Sequence, residues 1–160
     1  MKRKRGNVTV LKVAIYILGI VVLCLCLFAL PPLAKYTAET YPEYAYLRYP
    51  VLFGLYATAA PFFYALFQSL KLLRLIENDA VFSDDAVEAL SIIKRCACII
   101  AILYIIGMLF LAVLNALHPG IALIGFAILF TTVVIMMFAA VLEELLKNVI
   151  TIKTENELTI

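Results

Sequence analysis

Four stretches of the chain carry no Asp, Glu, Lys or Arg: residues 13–33, 49–70, 96–117 and 121–142. Each is as long as the roughly 20 apolar residues that a helix needs to cross the hydrocarbon core of a bilayer. The pattern predicts an all-α integral membrane protein, a four-helix bundle, with no polar segment long enough to form a second domain. Outside them lie, among others, a short stretch at 34–48, a helical elbow at 71–95 and a polar tail at 147–160.

The charges between these stretches set an orientation. Lys2, Arg3, Lys4, Arg5 and Lys12 precede the first; Lys71, Arg74, Lys94 and Arg95 separate the second and third; Lys147 and Lys153 follow the fourth. Eleven of the thirteen basic residues thus fall on one side, leaving Lys35 and Arg48 on the other. Basic residues in short flanks stay cytoplasmic, so both termini and the elbow are expected in the cytosol of a multi-pass plasma-membrane protein. The first stretch, despite its basic start, is longer than the apolar core of a signal peptide. Its exit at Pro31, Pro32, Leu33 and Ala34 lacks the small-residue cleavage pattern. It reads as a retained anchor.

The connections carry finer signals. Pro31 and Pro32 are expected to end the first helix, because neither nitrogen can donate and each ring crowds the preceding turn. The outer loop at 34–48 holds Tyr36, Tyr41, Tyr44 and Tyr46, with Tyr49 beside it. This is an aromatic belt, each ring buried at headgroup level and each hydroxyl wet. Pro61 lies midway along the second span and is the candidate helix kink. On the inner side the second helix should run on through Ile76 and turn at Asn78 and Asp79. Ser83 is a good N-cap, Asp84 and Asp85 suit the first turn of a helix, and Phe82 with Val87 makes a hydrophobic staple. A helix starting at about Asp84 then feeds into the third span. Lys71 and Arg74 are expected to snorkel to the headgroups. His118, Pro119 and Gly120 make a tight outer turn, with His118 a surface or capping residue. Gly107, Gly125, Ala112, Ala116, Ala122 and Ala127 offer small surfaces for close helix approach.

Composition agrees: 66% of residues are hydrophobic and 15% charged, against about 45–50% and 25% in soluble domains. Little chemistry is left. Residues two apart on a helix point about 200° apart, so neither Cys24 with Cys26 nor Cys96 with Cys98 can face one metal. The two pairs lie at opposite depths, on the order of 15–20 Å apart in height. They read as buried free thiols, with Cys96 or Cys98 a remote candidate for acylation near the inner leaflet. The spans contain no ionisable group of the kind that marks proton relays. No nucleophile–base pair or metal motif stands at a recognisable spacing. Glu143 and Glu144, at the end of the last helix, read as ordinary solvated charge. No catalytic residue, cofactor or metal site is expected, and the protein is read as not an enzyme. The basic N-terminus beside a span suits anionic lipid, not nucleic acid.

Leu72, Leu73, Arg74, Leu75 and Ile76, then Ala80, Val81, Phe82 and Ser83 with the helix after them, form an inner-loop pattern. Together with four spans at this length and the ending Glu157, Leu158, Thr159 and Ile160, it resembles the YoaS-like small bacterial membrane proteins, a domain family of unknown function. The resemblance covers nearly the whole chain. It implies a four-helix inner-membrane protein with no assigned activity, and a short helix-turn-helix regulator as a partner. It supplies no catalytic residues.

Two functions are weighed. The first is a non-enzymatic interaction protein that presents the elbow and tail to a small cytosolic partner through Phe82, Asp84, Asp85, Glu88, Leu158 and Ile160. The second is a small channel, carrier subunit or lipid-binding bundle, in which Pro61, Gln68, Asn115, Thr131 and Thr132 line a cavity, with a homo-oligomer as its wider form.

Overall fold

The computed structural model describes the backbone of residues 2–158 and the side chains of residues 6–156. All its elements are helical. Helix α1 spans Lys2–Cys24 and continues through a wide π turn, Leu25–Ala29, into α2, Leu30–Thr40. A 3-10 turn, Pro42–Leu47, leads to α3, Arg48–Glu77; then follow α4, Asp84–Val113, and α5, Pro119–Leu158. Four helical stretches are long and apolar enough to cross a membrane: Gly6–Thr40, Pro42–Glu77, Asp84–Val113 and Pro119–Asn156.

The two prolines do not stop the first helix. They occupy the opening positions of α2, where a missing N–H costs nothing. The π turn before them widens the backbone, and the Leu30 N–H bonds to the Leu25 carbonyl five residues back. In that register the Cys26 carbonyl faces Pro31, which has no hydrogen to give. The Tyr56 hydroxyl donates to it instead at 2.8 Å. A carbonyl orphaned in lipid is costly, and this bond from α3 replaces its missing helical partner. The expected loop at 34–48 is likewise helical for most of its length.

The helices pack in series: α1 beside α3, α3 beside α4, and α4 beside α5. Between α1 and α5 there is no comparable contact. Small residues are prominent in the packing surfaces, beside the buried Leu73, Leu90 and Leu146. Ala86, Ala89, Ala97 and Ala101 of α4 and Ala139 of α5 are buried, whereas Phe28, Val113, Leu123 and Phe130 face outward. Without water there is no hydrophobic drive between spanning helices, so close backbone approach takes its place. Of the small residues expected at helix contacts, Gly125 does this work, seated against Met108. Gly107, Ala112 and Ala127 face outward.

Both hairpin turns are left-handed helix caps. Asp79 and Asn115 take positive φ, 54° and 52°. The Ala80 N–H reaches back to Leu75 and the Ala116 N–H to Leu111, each at 2.9 Å. These are Schellman closures, in which the residue past the cap satisfies the carbonyls the helix leaves open. His118 then caps α5, its Nδ1 accepting from the Gly120 N–H at 3.3 Å. The Tyr44 hydroxyl donates to the Asn115 carbonyl and ties the tyrosine-rich end to this turn.

Candidate functional site

The end carrying the α3–α4 turn gathers nearly all the charge chemistry. Helix α4 starts at Asp84 with Ser83 as its N-cap. The Ser83 hydroxyl does not cap, however: it donates to the Ala80 carbonyl at 2.8 Å, while the Ser83 carbonyl accepts from Ala86 and Val87. Phe82 is 57% exposed. Val81 and Val87 instead pack against a small core built on Ala86, Leu90 and Leu146. Leu72 and Leu75 from α3, and Leu142 and Ile150 from α5, close over it. Helix α5 runs on past 147 to Leu158, and its Ile150 packs on this core.

Each neighbouring pair of helices is joined here by an ion pair. Lys12 of α1 pairs with Glu77 of α3. Lys71 of α3 reaches Asp85 at 3.2 Å and Glu88 at 3.6 Å on α4. The Asp85 hydrogen bond, followed by the charge of both acids, holds the Lys71 ammonium above its ordinary pKa. Lys71 thus pairs across the helices rather than only snorkelling.

The third pair overturns a sequence expectation. Glu143 is not a solvated charge. Its side chain is 6% exposed and its two oxygens take Lys94 at 2.5 Å and Lys147 at 2.7 Å. Lying just past the charge-free stretch, its carboxyl is held below the usual range, first by the Lys147 hydrogen bond and then by that of Lys94. The spacing of Glu143 and Lys147, four apart on one helix face, was visible in the sequence. The contribution of Lys94 from another helix was not. Glu144 stays exposed.

Beside this node an open groove of about 420 Å³ runs between α4 and α5. Asp84, Val87, Glu88, Ser91, Ile92 and Arg95 form one wall, a single face of α4; Glu143 and Lys147 form the other. Of the candidate docking residues, Phe82, Asp84, Asp85 and Glu88 are exposed on the first turns of this unit. Ile160, and the side chain of Leu158, lie outside the described residues. The residues weighed as a channel lining have different surroundings. Asn115 is in the outer turn, Thr131 faces outward, and Thr132 is buried with its hydroxyl bonded to the Ile128 carbonyl. Gln68 is buried, with no hydrogen-bond partner for Oε1 among the described residues. Pro61 lies inside α3, which runs unbroken from Arg48 to Glu77. Cys24 and Cys98 are exposed, and Cys26 and Cys96 buried.

A helical chain with four spans and charge gathered at one end defines a polytopic membrane protein. The chain belongs to the family described as protein of unknown function (DUF2975), whose model matches residues 32–160. It is 45% identical over 158 residues to the "Uncharacterized membrane protein YoaS" of Bacillus subtilis (strain 168), covering 98% of this chain and 99% of that protein. No solved structure matches.

Proposed function

We propose that this membrane protein is a non-enzymatic interaction protein of the plasma membrane, with both termini in the cytosol. Its elbow holds a small cytosolic regulator of the helix-turn-helix kind. The observation that carries the reading is Phe82, an exposed aromatic ring on a turn beyond the apolar band, flanked by the exposed acids Asp84, Asp85 and Glu88. An aromatic centre with a polar rim is the usual anatomy of a protein–protein interface. The acids suit the basic surface that a DNA-binding protein carries. Binding at the membrane would lower the free regulator by mass action.

Pull-down from detergent-solubilised native membrane tests the reading, using the full chain, a form lacking its last ten residues, and Phe82→Ala. The regulator co-purifies with the full chain and is lost with Phe82→Ala. A regulator that never co-purifies, or is retained equally by Phe82→Ala, overturns the proposal.

A further inference from the structure

The groove between α4 and α5 carries an ordered run of charge. Arg95 stands at its membrane edge, directly before the charge-free stretch 96–117, and has no ion-pair partner among the described residues. Lys147 stands on the opposite wall but is already held by Glu143. Farther out, on the same face of α4, come Ser91, Glu88 and Asp84. A simple anion entering the groove meets Glu143, Glu88 and Asp84; a simple cation meets Arg95 and Lys147. Neither suits both ends.

We propose that the groove binds the zwitterionic headgroup of an aminophospholipid, with phosphatidylethanolamine as the lipid. The phosphate sits between Arg95 and Ser91, and the primary ammonium reaches Glu88, whose carboxylate also pairs with Lys71 at 3.6 Å. Arg95 to Ser91 is four residues, about 6 Å of rise, and Ser91 to Glu88 three, about 4.5 Å. All three lie on one helix face. The order outward from the acyl chains, phosphate and then ammonium, is the order in which α4 presents cation, hydroxyl and carboxylate. Arginine's planar fork suits phosphate.

Ser91 adds an independent observation. Helical hydroxyls on this chain bond back to their own helix, as those of Ser69, Thr131, Thr132, Thr151 and Thr154 do. The Ser91 hydroxyl makes no hydrogen bond among the described residues, which leaves it free to donate into the groove. The volume, about 420 Å³, holds on the order of ten waters, and bound phosphate and ammonium would replace part of that water. The proposal does not rest on the partner reading.

Native mass spectrometry of the full chain in detergent tests it, with phosphatidylethanolamine, phosphatidylcholine and phosphatidylglycerol supplied in equal amounts. The ethanolamine lipid is retained best. Choline's quaternary nitrogen has no hydrogen to give Glu88, and glycerol brings no positive charge. Arg95→Gln and Ser91→Ala each lower its retention, Arg95→Gln by roughly tenfold. Arg74→Gln, exposed on α3 away from the groove, leaves it unchanged. Ser91→Ala nearly preserves volume and raises helix propensity, so it reports on binding even if Arg95→Gln folds poorly. Equal retention of all three lipids, or unchanged retention in both groove variants, overturns the proposal. So does displacement of the lipid by soluble phosphoethanolamine at equal concentration, which would make a free zwitterion the occupant.

Discussion

Replacing Glu143 with Ala removes a carboxylate that joins α4 to α5 at the charged end. Breaking a buried ion pair costs about 3–5 kcal/mol when it strands a buried charge. Here the stranded groups are Lys94 and Lys147, whose side chains are 35% and 57% exposed. Both can turn to water, so the full penalty does not apply. What is lost is two charge-assisted hydrogen bonds, discounted for that exposure, or about 1–2 kcal/mol. Lys94→Met is the opposite case. It leaves Glu143 buried with only Lys147, and is expected to cost more than the double variant Lys94→Met with Glu143→Met, which strands no buried carboxylate. Thermal unfolding in detergent, followed by far-ultraviolet circular dichroism, measures all three; the Glu143→Ala midpoint falls by a few degrees. The pH dependence has a fixed sign. A carboxylate held below its unfolded pKa stabilises fully above that value, about 4.3 for Glu, and loses the contribution as pH falls through the lower folded value. The stability gap between wild type and Glu143→Gln is therefore constant from neutral pH to about 5 and closes below about 4. An unchanged midpoint for Glu143→Ala, or a gap that widens on acidification, refutes the reasoning.

Other outcomes follow from single contacts. Tyr56→Phe leaves the Cys26 carbonyl without the donor that Pro31 cannot supply, and costs about 1 kcal/mol in detergent unfolding. Removing Pro31 in the same chain shrinks that cost by restoring a backbone N–H. Asn115→Val, at φ 52°, costs about 1–2 kcal/mol because a β-branched residue resists the left-handed region, whereas Asn115→Gly is near neutral. Lys12→Glu loosens α1 from α3 and raises hydrogen exchange along residues 6–16; adding Glu77→Lys restores protection if the pair, rather than packing, holds them. A fluorescent protein fused to the C-terminus is bright and an alkaline phosphatase fusion inactive, as the basic flanks require; the reverse pattern inverts the orientation.

The sequence by itself was enough for the class of fold, because length and charge exclusion are one-dimensional properties. A helix that must cross lipid declares itself in about 20 consecutive residues. Two helix ends were also legible: the chain turns at Asn78 and Asp79 after α3, and α4 begins at Asp84. Local chemistry stays local. Errors arose where a residue's partner lies on another helix. Pro31 and Pro32 read as a stop until Tyr56, 30 residues away from Cys26 in sequence, supplied the missing donor. Glu143 read as solvated until α4 brought Lys94 to it across 49 residues. The serial order of the helices, the alanine-lined contacts and the groove beside Arg95 likewise depend on which faces meet. Hydropathy cannot choose those faces, since lipid and neighbouring helices are equally apolar. Only the tertiary structure, through the close approach of small residues and the pairing of charges at one end, decided them.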